Sequence, residues 1–290
     1  MSSTISLTRA SARRKALHRT GYIARKNPLL VIGVVIIAVW VLAALFAPLL
    51  ATHEILAQDI ASRLQGPSAE HLWGTDELGR DIYSRVLLGG RITLPAGIAV
   101  IVIGSFLGTI VGAVAGFVGG VWDEVIMRVT ELFMAFPTII LAMAVTAALG
   151  PDIRNAIIAL VIVWWPSYAR LVRGMVLKVK QMEYVEAASC LGATRPYILF
   201  RTVLPNCIAP AIILTTLDIG NAILTFAGLS FLGLGPEPTS PEWGRMVAVG
   251  IDYFDQWWTW LFPGMAIASV VIAFNFIGDS LRDLLDPRMR

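Results

Sequence analysis

The chain has 290 residues, 57% of them hydrophobic and 15% charged, with a formal net charge of +3. A soluble domain carries about 25% charged residues, and a mean hydropathy of +0.73 excludes that class in favour of a polytopic membrane protein. Cys190 and Cys207 make no disulfide framework and no CxxC motif, and His18, His53 and His71 are scattered in sequence, so no metal site is expected.

Residues 1–27 carry Arg9, Arg13, Arg14, Lys15, Arg19, Arg25 and Lys26 and no acid. A basic tail can bind nucleic acid, but directly ahead of an apolar span it is more simply a topology signal, which places it in the cytoplasm. No nucleic-acid partner is expected. The apolar run from Pro28 to Ala51 is too long for a signal-peptide core and lacks a cleavage site, so it reads as an anchor. A span at about 29–50 supplies the ~20 residues that cross a bilayer. Residues 28–91 are thus the first transmembrane helix and an extracytoplasmic segment. Within that segment Asp76, Glu77 and Asp81 lack the spacing of a calcium loop. A glycine turn is expected there, leading into a short amphipathic helix with Arg80, Asp81 and Arg85 solvated.

Residues 92–281 hold five further spans. The second, about 93–118, leads into a stripe of Gly104, Gly108, Gly112, Gly116 and Gly120. Steps of four keep these glycines near one helix face, where they let another backbone approach closely; the neighbour could lie in this chain or in a partner. Beyond it, Glu124 and Arg128 are spaced to pair. The third span, about 132–149, contains Pro137, and Gly150-Pro151-Asp152 makes a turn into the fourth, about 155–172. That span leads to Arg170, Arg173, Lys178 and Lys180 on the predicted cytoplasmic side.

A polar loop follows at 176–205. It reads as two short helices broken at Gly192, with Pro196 in the first turn of the second and Pro205 opening the next span. Glu183 begins the amphipathic turn. The fifth span, about 207–232, holds Thr215, Asp218 and Asn221. A carboxylate at membrane depth costs about 2.5–3.5 kcal/mol on insertion scales and faces a bundle interior or water. Asp218, Asn221 and Thr215 therefore either line a translocation path or make interhelical hydrogen bonds. The loop after this span carries Glu237, Glu242, Asp252 and Asp255 against Arg245, as fits the outer side. Trp257, Trp258 and Trp260 form an interfacial belt entering the sixth span, about 258–278. Residues 282–290 are a cytoplasmic tail, so both termini face the cytoplasm.

Glu186-Ala187-Ala188, Gly192 four residues on, and Leu204-Pro205 resemble the EAA loop of ABC-importer permeases; Thr202 stands where that family usually has an aliphatic residue. The stretches from His71 to Asp81 and from Leu229 to Gly235, with Trp243-Gly244, are similar to the dipeptide, oligopeptide and nickel importer permeases, in particular their second subunit. The resemblance covers nearly the whole chain. It implies an all-α integral membrane protein with six transmembrane helices in the type I ABC importer permease fold, in a bacterial inner membrane. It implies a second permease, two ATPase subunits or domains that carry ATP and Mg, an extracytoplasmic binding protein, lipid around the spans, and no cofactor on this chain.

On that resemblance the loop is the coupling helix. Glu186 supplies charge at the docking surface, Ala187 and Ala188 a close-packed face, and Gly192 the turn, while the Glu237, Glu242 and Trp243 loop faces the binding protein. No phosphate loop, His-Glu-x-x-His or Gly-x-Ser-x-Gly occurs in the sequence, so no catalytic residue is expected and energy must come from elsewhere. The function expected is a permease for a small solute, by family frequency a di- or oligopeptide, with nickel, glutathione or an oligosaccharide as alternatives. An ion-coupled carrier using Asp218 or Glu131, and a non-transporting scaffold, are the alternatives from other classes.

Overall fold

The structure, a computed structural model, describes residues 27–285. The basic tail, His18, Arg288 and Arg290 lie outside the described residues. Helix α1 (Pro28–Leu45) has proline in its first turn and no charged residue. After a single turn at Ala47–Leu50 the chain runs irregularly to α2 (Ile82–Val118). Helices α3 (Gly120–Met134) and α4 (Thr138–Leu149) follow, then α5 (Ile153–Val179) and α6 (Glu183–Cys190). The chain then winds through Arg195–Tyr197 and a π-helical stretch, Ile198–Val203, directly into α7 (Leu204–Phe231). It ends with α8 (Trp243–Ile251) and α9 (Trp258–Leu285).

Among the described residues, five helical segments are long and apolar enough to cross a membrane. The expected third span is the exception. Pro137 does not sit inside a helix there: α3 and α4 meet at a 91° bend, and the pair makes a sixth span only if counted as one broken element. A proline lacks the amide that would continue the ladder and clashes with the preceding turn, so the break falls at Ala135–Pro137.

Helix α2 begins at Ile82, eleven residues before the sequence pattern suggested, because the Asp81 side chain caps it by accepting from the Ser84 amide (2.8 Å). Its first turns are buried rather than solvated: Arg80, Asp81 and Arg85 are each only 2% exposed. Asp76 accepts from the Arg80 Nε (2.6 Å) and from the backbone amides of Leu78 and Arg80, while Arg80 Nη2 donates to Glu77. Burying charge at this density is sustainable only because the carboxylate oxygens have donors. The segment is stitched to α9 by Trp258 Nε1, which donates to the Thr75 carbonyl (3.2 Å).

The broadest helix pairing is α2 against α5, and the glycine stripe explains it. A Cβ added at Gly108 would stand 2.3 Å from the Trp165 carbonyl oxygen, and one at Gly112 2.2 Å from that of Ala169. Gly104 faces Trp164 and Gly116 faces Arg173 and Val176 in the same way. The neighbour is therefore in this chain. Gly120 does not belong to the stripe: nothing lies within 4 Å of its Cβ position, and its φ of +61° follows a break at Gly119. Arg173 ties α5 to α3 beyond this contact, donating to both oxygens of Asp123 (2.6 and 2.7 Å). Arg128 pairs with Glu131 (3.1 Å), not with the expected Glu124, on an exposed face.

Candidate functional site

The loop between α5 and α7 is built from local rules. Glu183 and Glu186 occupy the first turn of α6, where acids suit the positive end of the helix dipole. The helix stops in a Schellman motif. The Gly192 amide donates to the Ser189 carbonyl (3.0 Å) and the Ala193 amide to that of Ala188 (3.1 Å), which requires the left-handed φ of +81° at Gly192. Pro196 stands in the first turn of the next helical piece. Pro205 opens α7 as its spacing suggested, but the preceding π-helical stretch makes the path from Arg195 to Phe231 one continuous helix of 37 residues.

Val185 is the one residue of α6 that is buried. It packs against Val176, Val179, Ile198, Leu199 and Val203, a contact worth about 1.5 kcal/mol or more in apolar burial. Every other side chain of the helix looks outward or is half-buried, including Glu183, Glu186 and Ala187, with Ala188 partly covered. Around it stand exposed apolar residues: Met182, Tyr184, Leu191, Tyr197 and Phe200, Leu191 being 88% exposed. An apolar patch of this kind beside ionised residues marks a surface that meets a partner. Beneath it a cleft of about 600 Å³ is lined by Phe117, Lys180, Glu186, Arg195 and Phe200, among others. Lys180 ties the loop to the end of α2: its Nζ donates to the Phe117 carbonyl (2.7 Å) and lies over that ring, satisfying a carbonyl that the helix end leaves free.

Asp218 lies halfway along α7. Its Oδ2 accepts from Tyr168 Oη (3.0 Å) and Trp164 Nε1 (3.3 Å), both on α5. The interhelical alternative is therefore realised in this structure. Asn221 is exposed, and the Thr215 hydroxyl returns to the Ala211 carbonyl (2.8 Å). Thr215 and Asp218 share Tyr168 as a side-chain partner, while Asn221 stands apart from them.

The loop after α7 departs from expectation. Glu237 is exposed, but Glu242 and Trp243 are fully buried and offer no side chain to a second protein. Glu242 is the N-cap of α8, accepting from the amides of Gly244 (2.9 Å) and Arg245 (2.8 Å) and from the Thr93 hydroxyl (3.0 Å). Burial pushes its carboxyl above the ordinary carboxylate range, against the pull of those donors. Trp243 donates from Nε1 to the Val86 carbonyl (2.9 Å) and packs edge-on to Trp40, 4.9 Å between centroids. The acid-aromatic pair reads in sequence like a recognition surface. Only the contact with α2, some 150 residues away, shows that it is core.

Long apolar spans around a buried glycine-lined contact, with a polar helical hairpin exposed at one end, define a membrane permease. The family model of the binding-protein-dependent transport system inner membrane component matches residues 108–290. That of the N-terminal TM domain of oligopeptide transport permease C matches residues 22–67. The probable D,D-dipeptide transport system permease protein DdpC of Escherichia coli (strain K12) is 45% identical over 268 residues, 92% of this chain and 90% of that one. The dipeptide transport system permease protein DppC of Alkalihalophilus pseudofirmus is 44% identical, covering 92% and 88%. The glutathione transport system permease protein GsiD of Pectobacterium atrosepticum is 44% identical over 78% of this chain and 75% of its own. Among solved structures, a chain of the inward-facing MetNI methionine ABC transporter aligns with a TM-score of 0.50 at 19% identity, over 67% of this chain and 94% of that one, a likeness of fold alone.

The chain belongs to the family of binding-protein-dependent transport system inner membrane components. It is a multi-pass ABC importer permease, a transport protein.

Proposed function

We propose that this permease carries di- or oligopeptides inward, working with a second permease, two ATPase subunits or domains and an extracytoplasmic binding protein. Relatives that are themselves termed dipeptide or peptide permeases support the peptide choice. In this reading both termini and the loop at 176–205 face the cytoplasm, and the segments 52–81 and 232–257 face outward.

The observation that carries the reading is the exposure of α6. A helix held by Val185 and the half-buried Ala188, with Glu183 and Glu186 in its first turn and bare apolar residues around it, is built to be gripped by another protein. The partner's ATP-driven closure would reach α7 through the Gly192 turn and the continuous helix beyond, and α5 through Lys180 and Val185. Glu186 would meet the ATPase, Ala187 and Ala188 would permit close approach, and Leu204 and Pro205 would fix the entry of α7. Outside, exposed Glu237 remains a candidate for the binding-protein surface.

The test is to tag the protein, extract it gently and identify the chains that come with it. A second permease with one or two chains bearing phosphate-loop motifs, and peptide uptake that stops in their absence, is the expected result. Recovery alone, in a preparation still able to transport, would overturn the reading in favour of an ion-coupled carrier.

A further inference from the structure

Two of the histidines that look scattered in sequence, His53 and His71, meet in space. His53, in the turn after α1, and His71, in the loop ahead of α2, stack with centroids 4.4 Å apart and planes tilted by 30°. Both present Nδ1 to the same oxygen of Asp81: His71 at 3.0 Å and His53 at 3.7 Å from Oδ1. One ligand atom from each of the three residues falls within 4.8 Å of the others.

We propose that His53, His71 and Asp81 form a zinc-binding site that clasps the turn after α1 to the start of α2. Zinc takes nitrogen and carboxylate ligands at about 2.0–2.2 Å in a tetrahedron, whose edges are then about 3.3–3.6 Å. The separations of 3.0 and 3.7 Å straddle that edge, and all three ligand atoms lie within 4.8 Å of one another, so a modest drawing together of the side chains would receive the ion. Two imidazoles and one carboxylate suit zinc and disfavour calcium or magnesium, which take oxygen.

The surroundings supply the outer shell that metal ligands require. The Asp81 side chain is fully buried. Its Oδ2 already accepts from the Ser84 amide (2.8 Å) and the Thr52 hydroxyl (3.3 Å), which fixes the carboxylate and leaves Oδ1 for a cation. Its ion-pair partners among the described residues are these two histidines and no lysine or arginine. A buried carboxylate facing two imidazoles and no lysine or arginine gains most from a doubly charged ion. The His53 side chain is 35% exposed, which gives the ion a route in and leaves a fourth position for water.

The test uses the intact transporter, purified through a tag without histidine, stripped with chelator and titrated with zinc chloride against a chromophoric competitor. The wild-type preparation is expected to bind one more zinc per copy of this chain than either His53→Ala or His53→Phe. Zinc is also expected to raise its thermal midpoint in a way both variants lose. His53→Cys, which restores a ligand, should recover binding to within about tenfold. Sites on partner chains contribute equally to all preparations and cancel. The phenylalanine variant keeps a ring over His71, so a loss in both variants assigns the effect to the ligand atom and not to packing. Equal zinc content and equal zinc-induced shifts in wild type and both variants would overturn the site.

Discussion

Gly112 lies so close to Ala169 that a single methyl group at Gly112 would stand 2.2 Å from the Ala169 carbonyl oxygen. That oxygen belongs to the backbone of α5 and cannot swing away. Gly112→Ala should therefore push α2 and α5 apart and cost about 1–3 kcal/mol, read as a lower thermal midpoint in detergent. Gly174→Ala, on α5 with open space at its Cβ position, is the matched control and should be neutral or slightly stabilising. Equal midpoints for Gly112→Ala and wild type would mean that the two helices are not held this closely.

The turn at Gly192 makes a separable prediction. No neighbour crowds its Cβ position, so the whole demand is conformational, set by φ of +81°. Gly192→Ala should cost the loop about 1 kcal/mol. Gly192→Pro cannot adopt that φ and has no amide to donate to Ser189, so it should abolish ATP-coupled uptake while leaving insertion and expression intact. Normal uptake by a well-expressed proline variant would remove the coupling role from this loop.

Asp218 holds two donors of α5 with one oxygen. Asp218→Asn keeps an acceptor and should transport close to the wild-type rate with little change in stability. Asp218→Leu leaves Trp164 without this acceptor and Tyr168 with Thr215 alone, which should lower stability by about 1–2 kcal/mol. Uptake and thermal midpoint measured on both variants separate a structural tie from a group on the solute's route. Loss of uptake in a fully stable asparagine variant would assign Asp218 to the route.

Glu242 connects pH to stability. Its folded pKa is raised by burial, above an unfolded value of about 4.3, so the folded state holds the proton longer than the unfolded one. Stability from this group is fully present below the unfolded value and declines as pH rises toward the folded one. Glu242→Gln cannot titrate. Its stability should start lower, by about 1 kcal/mol for the weakened cap, and its thermal midpoint should lack that decline with pH. Parallel pH profiles for the two proteins would show that the carboxyl is not raised.

Much of this architecture is legible in the sequence because lipid imposes simple rules. The runs of apolar residues locate the five long helices, and the stripe from Gly104 to Gly116 announces a close helix contact, although only the fold supplies Ala169 and its neighbours as the other side. Gly192 and Pro196 place the break in the polar loop correctly, since both act through their own backbones. What the sequence hides is long-range burial. Arg85 reads as solvated because its carbonyl partners become visible only when the loop at Thr239 and Ser240 folds over it, whereas Arg80 is held by its sequence neighbours Asp76 and Glu77. Glu242 and Trp243 mislead for the same reason, and His53 and His71 meet only because the segment between α1 and α2 doubles back.

Helix α1 is the first span made, yet its broadest contact is with α9, the last. Trp40 Nε1 donates to the Ser269 hydroxyl at 2.8 Å across a sequence separation of 229 residues. At a synthesis rate of about 5–20 residues per second, that partner arrives roughly 10–45 seconds after Trp40 itself. For that interval α1 must wait in the bilayer without its final neighbour, and its sequence suits the wait: no charged residue, and just 11% of its apolar window enclosed even at the end. Assembly of this permease therefore closes like a ring, with α1 and α9 meeting last.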